Sequence, residues 1–115
     1  MDIQTKQMEG TQDSVEVILK GRLDIQSSDA VKTTLHDVVA DSASMAFVNL
    51  NEVHFIDSAG LSALVSGLRR ARENNKDIIL FGLNKQAQMI FQLTMLDRIF
   101  TIHSSMESVL ASLSS

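Results

Sequence analysis

The chain predicts an α/β fold: a mixed, mostly parallel sheet, led in by an N-terminal hairpin and flanked by about four helices. Three observations carry that reading. Met45-Ala46-Phe47-Val48-Asn49-Leu50 and Ile78-Ile79-Leu80-Phe81 are short, nearly continuous apolar runs, the pattern of strands covered on both faces. Between and beyond them, apolar residues recur at helical spacing, and strands alternating with helices imply parallel pairing through right-handed crossovers. Near the N-terminus, two extended segments flank a short polar cluster, Gly10-Thr11-Gln12-Asp13, which reads as a hairpin turn.

Taken in order, Ile3 to Met8 alternates weakly and fits an edge strand, and Val15-Glu16-Val17-Ile18-Leu19 is a better one. Gly21-Arg22-Leu23-Asp24-Ile25 is a separate short extended piece. Ser27, Ser28 and Asp29 then supply helix-capping side chains, with Asp29 favoured by the positive end of the helix dipole. Val31, Leu35, Val38 and Val39 form the stripe of the first helix. The second helix begins after Phe55-Ile56-Asp57-Ser58, with Leu61, Leu64, Val65 and Leu68 inward and Asn74-Asn75-Lys76 at its end. Ala87, Ile90, Phe91 and Met95 outline a third helix. Phe100-Thr101-Ile102 is a last short strand, and Met106, Val109, Leu110 and Leu113 share one face of a terminal helix behind Ser104 and Ser105. The methionines Met89, Met95 and Met106 read as core filler.

Composition narrows the function. With 115 residues, 44% hydrophobic and 21% charged, the chain is large enough to bury a core without staples. No proline, Gly/Ser-rich linker or internal repeat divides it, so residues 1–115 are expected to form one domain. It contains no cysteine, which excludes disulfides, thiol nucleophiles and cysteine-bound zinc. A net charge of −4 argues against nucleic-acid binding, which wants a basic surface. No apolar run approaches the roughly 20 residues of a membrane span, and Met1-Asp2-Ile3-Gln4 does not open a signal peptide. A cytoplasmic protein without membrane contact is the expectation. His36, His54 and His103 lack metal-ligand spacing, and the glycines form neither dinucleotide nor Walker loops, so neither metal nor cofactor is expected. Arg69, Arg70 and Arg72 read as a solvated helix end, with a docking role as the alternative.

One segment stands apart: Phe55-Ile56-Asp57-Ser58-Ala59-Gly60-Leu61. It leaves a strand and opens a helix, which places Asp57 and Ser58 at the carboxyl edge of the sheet, where α/β folds keep their sites. The plain reading is that Ser58, or Asp57, caps the helix. A nucleophile elbow would need glycine at the position of Ile56, so a hydrolase is poorly supported. An enzyme would draw on Asp24, Asp57 and Ser58 with no histidine base, and none is expected.

Ile56-Asp57-Ser58-Ala59-Gly60-Leu61 after an apolar strand, with Gly21-Arg22-Leu23-Asp24 upstream, resembles the STAS domain family, and within it the stand-alone anti-sigma-factor antagonists of bacterial partner switching. The likeness runs over nearly the whole chain. It implies that Ser58 is the site phosphorylated by an anti-sigma factor with serine-kinase activity, and that a PP2C-type phosphatase reverses the step. It also implies a partner surface of Asp24, Asp57, Ser58, Ala59 and Gly60. Two positions depart from the family pattern: Arg22 stands where glutamate is usual, and Met95 where glycine is frequent. Two alternatives stay open. One is a STAS interaction module that is not phosphorylated, of the stressosome or lipid-transport kind. The other is a receiver-like domain phosphorylated on Asp57, which would want an acidic pair after its first strand to hold Mg²⁺, where this chain has Gly21-Arg22.

Overall fold

The computed structural model describes residues 1–8, 14–40 and 45–114. The chain runs β1 (Asp2–Gln7), β2 (Ser14–Leu23), α1 (Ser28–Ala40), β3 (Met45–Ile56), α2 (Ser58–Glu73), β4 (Asp77–Phe81) and α3 (Lys85–Leu93). A 3-10 turn (Leu96–Arg98), β5 (Thr101–His103) and α4 (Met106–Ser114) follow. The five strands form one sheet in the order β1-β2-β3-β4-β5. β1 pairs antiparallel with β2, and every later pair is parallel. The expected mixed sheet, N-terminal antiparallel pair and four helices are all present. The turn cluster at residues 10–13 lies outside the described residues, as does the side chain of Leu113.

Strand order follows chain order, so three successive crossovers of one hand set α1, α2 and α3 on the same face of the sheet. The core confirms it by residue parity. Ala46 and Val48 of β3, with Ile78 and Leu80 of β4, join Val31 and Leu35 of α1, Leu64 and Leu68 of α2 and Phe91 of α3. Their alternates Phe47, Ile79 and Phe81 point to the opposite face, where Val109 of α4 and Met8 cover them. A strand packed on both faces has no polar alternation to show, which is why these runs read as continuously apolar.

Three expectations are corrected. Gly21 to Leu23 is not a separate piece but the end of β2, which stays paired with β3 through two register shifts, one at Ile18/Lys20 and one at Gly21/Arg22. Ser27 precedes α1 and its carbonyl accepts from Val31 N at 3.1 Å, but its side chain does not cap the helix: the hydroxyl donates to Arg22 O at 2.7 Å and accepts from Asp24 N at 3.0 Å. Met89 and Met95 are not core filler, being 60% and 59% exposed, whereas Met106 packs on the second cluster. α3 ends at Leu93, so Met95 falls past the helix, at φ 62° in the left-handed region.

That conformation is strained for any residue with a Cβ, by about 1 kcal/mol. Met95→Gly is therefore expected to stabilise the domain by about 0.5 kcal/mol, the relief being partly offset by glycine's freer unfolded chain. A rise of about 3 °C in melting temperature would show it; a fall would mean that Met95 makes a contact worth more than the strain. By contrast Asn75, also at positive φ, suits its place, closing α2 with Asn75 N bonded to Arg72 O and Lys76 N to Ala71 O. Among the described residues no helix is long and apolar enough to cross a membrane.

Candidate functional site

β3 is longer than its apolar run. Beyond Asn49 it outlasts its pairing with β4 and continues beside β2 alone, to Ile56. The chain then turns at Asp57 into α2. Asp57 has extended backbone (φ −110°, ψ −174°), and its carboxylate accepts from Gly60 N at 2.9 Å. Asp57 is the N-cap, and Ser58 is the first helical residue. Of the two caps the sequence allowed, the structure takes the aspartate, whose charge also suits the positive helix end. Among the described residues the Ser58 hydroxyl has no hydrogen-bond partner, and the side chain is exposed.

The helix start is pressed onto the end of β2. Asp57 N donates to Leu23 O at 3.2 Å. A Cβ on Gly60 would lie 2.2 Å from that same carbonyl oxygen, so only glycine allows this approach. Gly60 is buried and Ala59 half-buried, which leaves Ser58 as the side chain the junction presents.

The contact with Leu23 brings the β2–α1 turn alongside. There Asp24 is locked into its own turn: it accepts from Gln26 N at 3.0 Å and pairs with Arg22 Nε at 3.4 Å. Partial desolvation raises its pKa, but the Gln26 amide, the Arg22 guanidinium and the Ser27 amide together hold it below the usual value. Arg22 also lies over the ring of Phe55, 4.1 Å from its centroid. Where the resemblance leads one to expect an acid, this chain thus carries a cation stacked on the strand that leads to Ser58. No hydrogen bond joins Asp24 to Ser58 among the described residues; they are neighbours through the backbone of Leu23.

Residue by residue, Asp24, Asp57, Ser58, Ala59 and Gly60 converge at one corner of the sheet's carboxyl edge. Ile25, the last residue of the Gly21–Ile25 piece, is 73% exposed at the tip of the Asp24 turn, a large apolar side chain open to water near the exposed serine. The histidines lie elsewhere. His36 Nε2 meets Ser66 Oγ at 3.0 Å, His103 Nδ1 meets Ser108 Oγ at 2.9 Å, and His54 is exposed. Among the described residues no group of histidine and acidic side chains could hold a metal ion.

The STAS domain model matches residues 4–109, nearly the whole chain, with the Asp57-Ser58-Ala59-Gly60-Leu61 junction inside it. The chain belongs to the STAS domain family. An anti-sigma-B factor antagonist of Listeria monocytogenes is 26% identical to it over 102 residues, covering 89% of this STAS chain and 90% of the relative. In fold it is similar to an anti-sigma factor antagonist candidate of Thermotoga maritima, with a TM-score of 0.88 at 22% identity over 98% and 95% of the two chains. It is also similar to the Bacillus cell-fate determinant SpoIIAA in its phosphorylated form, with a TM-score of 0.72 at 18% identity over 96% and 99%. At those identities the two structures speak for the STAS architecture: a hairpin-led sheet with one helix behind it.

Proposed function

We propose that this STAS domain is an anti-sigma-factor antagonist in a bacterial partner-switching pathway. Unphosphorylated, it binds an anti-sigma factor that is also a serine kinase, through the corner formed by Asp24, Asp57, Ser58, Ala59 and Gly60. Phosphorylation of Ser58 releases it, and a PP2C-type phosphatase restores binding. In this reading the chain is one cytoplasmic domain over residues 1–115 and is the substrate of the kinase, not a catalyst. The observation that carries the proposal is the uncommitted, exposed hydroxyl of Ser58 on the first turn of α2, beside a capping aspartate that leaves it free. The curated Listeria relative supports the pathway.

Charge supplies the switch. A phosphate adds roughly −1.5 to −2 charges at Ser58. The fold tolerates them, because the free amides and dipole of a helix N-terminus favour an anion. The partner does not, since burying an unpaired dianion beside Asp57 and Asp24 would cost several kcal/mol.

Titration with the cognate anti-sigma factor, alongside mass mapping of the phosphate, tests this. Ser58→Asp is expected to bind about a hundredfold more weakly while melting near the wild-type temperature. Ser58→Ala should bind like wild type, accept no phosphate, and lose at most about 0.5 kcal/mol of stability, because the cap belongs to Asp57. Wild-type affinity in Ser58→Asp, or a phosphate mapped elsewhere, would defeat the charge switch.

A further inference from the structure

Two clefts of about 450 and 460 Å³ adjoin along the outer side of α2. The first begins at Ser58 and reaches Arg69, with Leu96 as its far wall. The second continues from Arg69 to Glu73, walled by Ile99. Val65 and Arg69 line both, so one groove follows the helix from the serine to its last turn. Its floor centres on half-buried Val65 and the edges of the core residues Leu61 and Leu68, with Ser62 and Ser66 beside them. The wall is fixed by Arg72, whose Nη2 donates to Ile99 O at 2.6 Å and whose Nε lies 3.8 Å from Asp77. That arginine is committed. Arg69 is not: among the described residues it has no hydrogen-bond or ion-pair partner.

We infer that this groove seats an apolar-faced segment of the anti-sigma factor that carries a carboxylate opposite Arg69. The inference rests on the proposed antagonist function and adds a second contact with a defined sign of charge. An apolar segment alone would cover Arg69 and leave a desolvated, unpaired cation, and a basic segment would add repulsion. An apolar-faced segment with one acidic side chain satisfies both, its apolar face on the floor and its carboxylate on Arg69. A nucleic acid does not fit, because one unpaired cation in this groove, on a chain of net charge −4, is far short of the several phosphate contacts such binding needs. The groove also opens at Ser58, so a phosphate there places its charge at the mouth of a trough shaped for an acidic segment, which strengthens release.

The test titrates the cognate anti-sigma factor against the wild-type chain and the variants Arg69→Glu, Arg70→Glu and Ser58→Asp, at low and at physiological salt. Arg69→Glu should bind about tenfold more weakly, with the larger loss at low salt, and should melt as wild type. Arg70→Glu, next on the helix and not lining the groove, should stay within about twofold. If Arg69→Glu binds as wild type while Ser58→Asp does not, the groove is not a contact and the antagonist function stands. If Arg69→Glu and Arg70→Glu weaken binding equally, the effect is general charge and the groove assignment is wrong. If the wild-type chain does not bind any anti-sigma factor encoded beside it, the functional proposal fails and takes the inference with it.

Discussion

Leu64→Asp is expected to leave no folded protein at 25 °C. Leu64 is fully buried on α2, in the cluster shared by α1, α2 and the sheet. Truncating such a leucine costs about 2–5 kcal/mol by itself. The aspartate adds a carboxylate with no partner in an apolar site, several kcal/mol more even if it takes up a proton. Against a total stability of about 5–15 kcal/mol, that sum removes most or all of it. Far-ultraviolet circular dichroism and a melting scan suffice to check it, with Leu64→Met as the conservative control, expected to lose less than about 1.5 kcal/mol. A soluble Leu64→Asp variant with an unchanged transition would mean that α2 does not pack as described.

Gly60→Ala is expected to destabilise the domain by about 2–4 kcal/mol, against the helix-propensity trend that favours alanine by about 1. The added Cβ would stand 2.2 Å from Leu23 O and 2.7 Å from Leu23 Cγ. The first obstacle is backbone at the end of a paired strand, so either β2 or the first turn of α2 has to move. Gly67 is an internal comparison on the same helix. Its Cβ would meet Leu35 Cδ1 at 2.7 Å, which a rotamer change can move, and Leu35 Cβ at 2.9 Å, which moves only with α1; neither approach is as close as the 2.2 Å to backbone at Gly60. Gly67→Ala should therefore cost less than Gly60→Ala, read as denaturant midpoints at equal slopes. Equal losses would show that the β2–α2 contact yields. Because that contact also sets Ser58 beside the Asp24 turn, Gly60→Ala should weaken partner binding by more than its loss of stability explains, a consequence of the proposed site.

Local pattern alone determined most of the architecture. The runs at Met45–Leu50 and Ile78–Phe81, the stripe of Leu61, Leu64 and Leu68, and the strand-to-helix junction at Asp57 and Ser58 are set by neighbours in sequence. Burial on both faces, helical period and capping chemistry each leave a short-range trace. What only the tertiary structure decided concerns groups with several partners in reach. Ser27 and Ser58 look alike as capping serines, yet one hydroxyl is drawn back onto Arg22 O and the other left free by Asp57. Arg69 and Arg72 are indistinguishable in sequence. Ile99, from a turn far along the chain, ties down Arg72 and leaves Arg69 open. Met95 fits an apolar helical stripe until α3 stops at Leu93, and Met89, inside α3, faces water because the buried side of that helix is the one bearing Ala87 and Phe91. For Arg72 the deciding partner lies 27 residues away, and a hydrogen bond made across such a distance leaves no mark on the local pattern; for the serines several partners stood within local reach, and only the folded turn chose among them.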